Sequence, residues 1–570
     1  MIKGLINWIS KKTEFLFPKP PAKEPVAKPT LNKNTNQTYL IDASSPTLIV
    51  ENPVPLTTLL PMRSTGEAGG GYPLGSLQQQ AMGLKQIVNE ALLYMNSKSP
   101  KKITKWAATS NLSLVSRAGT DINAYYDRSG LKFFYFPDNI RHKTVYAADS
   151  RTVVSHEFGH ALLDTLRPDL WNVVSDEVWA YHESFGDMVA ILHNLQYPAL
   201  IDAALAENGG DLTKSNKVTK LAVDMGIGLY NVTGGTNGEL SNCLRDAIVR
   251  FNYVAPSSLP KNGRDDQLIN ESHSFSRVFT SMFYNLLIQI ANVYKSEGQT
   301  PKNAIIKARD VMTSYLLTAS IRAAINPKFF KSVCQELLLA DKAAGGKFQT
   351  IMNNTFLSWK LISNPIKMLS KVTYEDVVKD MNDDFEYTDL GEVKILRITK
   401  PNTMKLSNMH GIVAMTNNPL LSAEIEVASQ STYYFDKDMI LQDSDETSEK
   451  EIIESAMNCI EIIQQRNLLG DHDKAQFHMV DGKLLRNKIA SCGCNKPNYC
   501  IPGSPEYQKP WKPKNNAGCV KCRKSNCDPL PCDCANPAPP ESPKVGCYTS
   551  VKTCNATGYK VGSKISRKVC

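Results

Sequence analysis

The chain has 570 residues, 42% of them hydrophobic and 21% charged, with a formal net charge of +9. This is the composition of globular protein on a length that suits several domains. The positive charge gathers in lysine-rich stretches such as Lys11-Lys12 and Lys19 to Lys28, and no basic run alternates with aromatics, which argues against a nucleic-acid partner. No apolar stretch reaches the 18 or so residues that span a bilayer, so no transmembrane segment is expected.

Residues 1–75 read as a flexible leader and linker. Met1 to Phe17 carries Ile2, Leu5, Ile6 and Ile9 at helical spacing, but Lys11 and Lys12 interrupt it and no small-residue cleavage site follows. It does not have the form of a signal peptide. Residues 18–75 are rich in Pro, Lys, Asn and Thr and end in Gly69-Gly70-Gly71.

Residues 76–365 read as one α+β domain. A helical pattern runs from Leu77 to Met95, and strand patterns follow at Leu112–Val115, Asn123–Tyr126 and Leu131–Phe136. The character then turns helical. Val153, Val154, Phe158, Ala161, Leu162 and Thr165 keep a period near 3.6, with Pro168 just beyond the stop. A second helix is predicted from Asp176 to Leu195, and further ones at Leu221–Leu229, Asn242–Tyr253, Phe275–Lys295, Pro301–Leu317 and Pro327–Ala344.

Residues 366–490 read as a small α+β module. Strand patterns lie at Glu392–Ile398, Gly411–Thr416, Ala423–Ala428 and Thr432–Phe435. Ser448 and Glu451 suggest a capping box for a helix reaching Gln465, and Asp481-Gly482 centres a hairpin over Phe477–Ile489. Asp443 to Glu446 is acidic and could bind calcium, but no recognisable motif supports a calcium site and a solvated loop is the favoured reading. Residues 491–570 form a cysteine-rich tail. Eleven of the 14 cysteines fall there, and only Cys243, Cys334 and Cys459 lie earlier. Cys519-x2-Cys522 and Cys532-x-Cys534 lack a regular second pair at zinc-ribbon spacing, so a disulfide-stapled module is favoured over a metal cluster. Such a tail suits an extracellular or exported protein and could bind a surface or a partner.

The chemistry concentrates in His156-Glu157-Phe158-Gly159-His160. On a helix, positions i and i+4 share a face, so His156 and His160 can aim two imidazoles at one zinc ion. Glu157 is close enough to hold and deprotonate a water on that metal. A catalytic zinc has three protein ligands and one open position. A third histidine six residues past His160 is ruled out, because Leu166 stands there. Glu183 is the natural third ligand. Asp187, one turn on, can accept a hydrogen bond from the non-ligating nitrogen of His156. Two other third ligands stay open: His182 points about 100° away from Glu183 on the same helix, so only one of the two can face the metal, and Asp164, one further turn along the face of His156 and His160, would strain to reach it.

The pair of segments His156–His160 and Glu183-Ser184-Phe185-Gly186-Asp187 resembles the HExxH and downstream ExxxD pattern of thermolysin-like zinc metallopeptidases, the glutamate-zincin clan, over roughly residues 76–360. The resemblance implies a two-lobed domain, a mixed sheet lobe plus a helical lobe, followed here by the small module and the tail. It implies a zinc-dependent endopeptidase acting on protein or peptide substrates, with one catalytic zinc on His156, His160 and Glu183, Glu157 as general base and Asp187 behind His156. Asn123-Ala124-Tyr125-Tyr126 is similar to the family's edge strand, where Asn123 and Ala124 would pair with the substrate backbone by β-augmentation. His273 is similar to the family's oxyanion-stabilising histidine.

The chain departs from the family at several points. Tyr181 is the only tyrosine between His160 and Glu183 and does not stand at the family's spacing, residues 1–75 offer no counterpart to its large propeptide, and its calcium clusters are not recognisable. The alternative is a catalytically silent binding or structural protein that acts through its C-terminal modules.

Overall fold

The computed structural model describes residues 47–51, 76–363, 373–378, 385–391, 393–398, 403–408, 418–472 and 475–490. Residues 1–46 and 52–75 of the expected leader and linker, the strand expected at Gly411–Thr416 and the whole cysteine-rich tail lie outside the described residues. Helices and sheets are mixed throughout. Among the described residues, no helix is long and apolar enough to cross a membrane.

Helix α1 (Leu77–Lys98) begins where the Ser76 side chain accepts a hydrogen bond from the Gln79 N–H. A five-stranded sheet follows, in the order β1 (Thr47–Glu51), β2 (Asn111–Val115), β4 (Gly130–Phe133), β3 (Ala124–Tyr126) and β18 (Ile489–Ala490). β1–β2 and β2–β4 are parallel, while β4–β3 and β3–β18 are antiparallel. Strand alternation puts Leu112 and Leu114 of β2, and Ala124 and Tyr126 of β3, into the core.

The single strand expected over Leu131–Phe136 is divided. After β4, the Phe134 N–H bonds to the Asn123 carbonyl, and β5 (Tyr135–Asp138) leaves to pair with β6 (Lys143–Tyr146).

Helix α2 (Arg151–Leu166) starts at Ser150, whose hydroxyl accepts from the Val153 N–H. It packs on α3 (Asp176–Asn194), every residue of which is buried. A helix enclosed on all sides needs neighbours all round. Two short helices follow, α4 (Pro198–Glu207) and α5 (Val223–Thr233). Three longer ones follow, α6 (Ser272–Ser296), α7 (Pro301–Arg322) and α8 (Phe329–Ala343); α6 and α8 pack on α3, and α7 packs on both of them, ahead of α9 (Gln349–Ser358).

The helix expected at Asn242–Tyr253 is not there. Arg245–Asp246 forms the short strand β9, antiparallel to β8 (Lys220–Leu221). The Leu244 and Ala247 N–H groups bond to the Leu221 and Thr219 carbonyls. Gly226 makes room for this, since a Cβ there would meet the Cys243 carbonyl carbon at 2.0 Å. Tertiary pairing overrides the local helical spacing.

After the short helix α10 (Tyr374–Val378), β10 (Phe385–Asp389), β11 (Val393–Ile398), β14 (Ser431–Asp436) and β15 (Leu441–Asp445) form one sheet. β12 (Thr403–Lys405), β13 (Glu424–Val427), β17 (Lys483–Arg486) and β16 (Phe477–Val480) form another, and β13 also pairs with β7 (Val173–Val174). The Ser448–Glu451 capping box opens α11 (Glu449–Gln465). The β16–β17 hairpin turns at Asp481 and Gly482, both with positive φ. Within the acidic stretch, Asp445 lies in a strand, is buried, and accepts hydrogen bonds from Lys331 and Asn326 at 2.9 Å each.

Candidate metal centre

Two glycines let the site form. A Cβ on Gly159 of α2 would stand 2.7 Å from the Gly186 Cα of α3, and a Cβ on Gly186 would stand 2.7 Å from His156 Nδ1. The helices therefore cross at bare backbone, and Glu183, one turn before Gly186, reaches the imidazoles of α2.

The result is a buried group of His156, His160 and Glu183 whose ligand atoms all lie within 4.8 Å of one another, a group that could hold a metal ion. His156 Nε2 and His160 Nε2 are 3.1 Å apart. The Glu183 carboxylate is 3.3 Å from the first and 3.8 Å from the second. Tetrahedral coordination at bond lengths of about 2.0–2.2 Å spaces ligand atoms about 3.3–3.6 Å apart, close to this triangle.

The other nitrogen of His156, Nδ1, lies 2.9 Å from Asp187 Oδ1. Arg245 grips the same carboxylate with Nη2 at 2.7 Å from Oδ1 and Nε at 3.1 Å from Oδ2. Burial disfavours charge on Asp187, but Arg245 and His156 outweigh it and hold the carboxyl at about 2. Burial likewise opposes charge on His156, yet the Asp187 and Glu183 carboxylates push it up to about 9. His160 is held well below the usual histidine value by burial and by the charge on His156. One ring is thus anchored by an acid, and burial favours the neutral form of the other.

Glu157 follows His156 on α2 and is fully buried. His273 opens α6 with Nδ1 2.7 Å from Glu271 Oε1 and Nε2 3.4 Å from Glu183 Oε2. Glu271 is also the helix cap, its Oε2 accepting from the Ser274 N–H at 3.0 Å. Against burial, Glu183 and Glu271 raise His273 to about 10.

Ala124 opens β3 and Asn123 immediately precedes it; the strand is tied to the metal helix where the Tyr126 hydroxyl donates to Asp164 at 2.9 Å. Asp164 is further engaged by Arg128 at 2.6 Å and stands outside the ligand group. His182 is also outside it. Its ring centroid is 6.0 Å from that of His160, and neither ring nitrogen has a hydrogen-bond partner among the described residues. Tyr181 is a core residue whose hydroxyl meets Ser320 Oγ at 2.6 Å, amid Phe185, Phe279 and Phe329.

Three participants escaped sequence reasoning. Arg245 was hidden in a segment that read as a helix. Glu271 could have been noticed as an acid two residues before His273. Arg486 comes from the β16–β17 hairpin, far along the chain, and no local signal marks it. It is buried, and its charge is felt by both Glu183 and His160. No protein-family model matches the chain, and no curated protein matches it.

Proposed function

We propose that the chain is a zinc-dependent endopeptidase with a thermolysin-like, two-lobed arrangement. The observation that carries this reading is the convergence of His156, His160 and Glu183 from two crossed helices, with Glu157 beside the first ligand. Two imidazole nitrogens and one carboxylate oxygen are a donor set suited to a catalytic zinc with an open position. Bound there, zinc would polarise a scissile carbonyl and lower the pKa of a water toward about 7.

The protein's own residues supply the rest. Glu157 accepts the proton of the attacking water and passes it to the leaving amine. His273, charged and held at Nδ1 by Glu271, donates from Nε2 to the oxygen that gains negative charge. Asp187 and Arg245 fix the tautomer and tilt of His156. The eleven cysteines between Cys492 and Cys570 support action in an oxidising, extracellular setting.

The test is hydrolysis of quenched fluorescent peptides by the full chain. Activity should vanish with 1,10-phenanthroline, return with zinc, and fall by at least about a hundredfold in Glu157→Gln, as expected for loss of a general base. Activity that survives Glu157→Gln removes the mechanism. A folded chain that binds zinc and cleaves nothing in a broad peptide library favours a binding protein instead.

A further inference from the structure

Strand β3 has two edges. Its inner edge pairs with β4, from Ala124↔Phe133 to Tyr126↔Leu131. Its outer edge is taken by the chain's own β18, antiparallel, with Tyr126↔Ile489 and Tyr125↔Ala490. An extended peptide adding to this sheet next to the metal helix would need that same outer edge.

The path of the segment into this position is fixed at several points. Trp171 Nε1 donates to the Arg486 carbonyl at 3.0 Å, and the Arg486 N–H donates to Asn172 Oδ1 at 3.2 Å. Trp171 and Asn172 belong to the link between α2 and α3, the two helices that carry the metal ligands. The Asn487 N–H bonds to the Gln476 carbonyl at 2.7 Å, and the Arg486 guanidinium lies 5.0 Å from the Trp179 ring centre and 5.1 Å from that of Phe477. Ile489 is 4% exposed, and Glu157 and His160 are completely enclosed.

We propose that residues 487–490, which follow β17, are a displaceable strap that restrains the peptidase, with β18 occupying the edge of β3 on which a substrate backbone would be laid. This rests on the peptidase reading of the metal centre.

Two features make the strap displaceable rather than a permanent wall. Its pairing with β3 spans only two residues, and a single backbone hydrogen bond adds little net stability because water competes for both groups. Arg486, at the root of the strap, is buried with no hydrogen-bond partner for Nε among the described residues, so the strap's anchor is incompletely satisfied. A competing peptide backbone can replace the first and relieve the second.

The experiment compares the full chain with its Ile489→Pro/Ala490→Pro variant, which removes both N–H groups of β18. Two readouts are taken at equal zinc content: anisotropy of a fluorescein-labelled peptidyl hydroxamate, and hydrolysis of a quenched peptide. The variant should bind the hydroxamate about tenfold or more tightly, equivalent to about 1.4 kcal/mol, and cleave faster by a similar factor. A folded, zinc-loaded variant with unchanged hydroxamate affinity overturns the strap. Tighter binding with no hydrolysis by either protein keeps the strap and removes the peptidase reading.

Should the variant fail to fold, hydrogen exchange on the unaltered chain decides. Saturating hydroxamate should deprotect amides within 487–490, and bound hydroxamate with undiminished protection there overturns the proposal.

Discussion

Arg245 holds Asp187 through both carboxylate oxygens, at 2.7 and 3.1 Å, while Asp187 Oδ1 also faces His156 Nδ1 at 2.9 Å. The acid is therefore kept ionised and pointed, and the imidazole it orients has one nitrogen left for a cation. Arg245→Ala should leave Asp187 buried without its main counter-charge, and Arg245→Lys should restore the charge without the two-pronged grip. Zinc affinity, measured by competition with a chromophoric chelator, should fall about 10- to 100-fold in Arg245→Ala and by an intermediate amount in Arg245→Lys. Equal affinities for all three proteins would show that the arginine does not act through His156.

The close crossing of α2 and α3 makes a second expectation. A methyl group on Gly186 would overlap the His156 ring, with Cε1 at 2.8 Å and Nδ1 at 2.7 Å. Gly186→Ala must push the helices apart or turn the ring off Asp187, costing about 1–3 kcal/mol of stability together with zinc affinity. Gly83 is the control. It lies within α1, and a methyl group added there would meet nothing within 4 Å, so Gly83→Ala should stabilise the chain by about 0.4–1 kcal/mol. Thermal melts of the two variants should move in opposite directions, and a Gly186→Ala melt at or above the parent would contradict the crossing geometry.

Periodicity made the two metal helices legible because their apolar and ligating positions obey one period, and the i,i+4 rule alone puts His156 beside His160. The Ser448–Glu451 box and the Asp481-Gly482 turn were readable for a similar reason, since each is settled by residues a few positions apart. What stayed hidden depends on distant partners. Arg245 is extended because Leu221 and Thr219 offer carbonyls to its neighbours, and β18 belongs to the first sheet only because the chain returns to β3 after more than 360 positions. Gly159 and Gly186 look like ordinary helix-weakening residues until the second helix is laid against the first.

Buried acids at the start of α3 give a pH dependence. Glu177 is enclosed between the Tyr253 hydroxyl at 2.7 Å and the Phe330 N–H at 2.8 Å. Burial raises its carboxyl to about 8, and the same cause lifts neighbouring Asp176 to about 7. A folded value above the unfolded one means that the folded state holds a proton which the unfolded state has released. This contribution to stability is fully present below the unfolded carboxylate range and is lost as pH rises toward 8, at about 1.4 kcal/mol per pKa unit. Glu177→Gln mimics the protonated form. It should match the parent near pH 5 and be the more stable protein at pH 8 in denaturant titrations. A gap between the two that does not widen with pH would mean that Glu177 is ionised in the fold.

Glu271 acts on His273 from the side away from the metal group. One oxygen takes Nδ1 at 2.7 Å and the other caps α6 by accepting from the Ser274 N–H at 3.0 Å, so a single side chain sets both the helix start and the ring. Replacing it by alanine would confuse the two effects, since a lost cap alone costs about 1 kcal/mol. Glu271→Gln keeps an acceptor for the cap and removes the charge that orients the ring. If His273 donates to the developing oxyanion, kcat should fall by about tenfold or more, short of the hundredfold or greater loss seen when an oxyanion donor is deleted outright. KM and zinc content should stay near their parent values, because ground-state binding and the ligand triangle are untouched. A change confined to KM, or a loss of zinc that tracks the loss of activity, would instead make Glu271 and His273 supports for Glu183. His273→Ala in the same assay decides between them, because an oxyanion donor lost outright costs more than one merely misaligned, whereas a support for Glu183 would lower zinc occupancy in both variants.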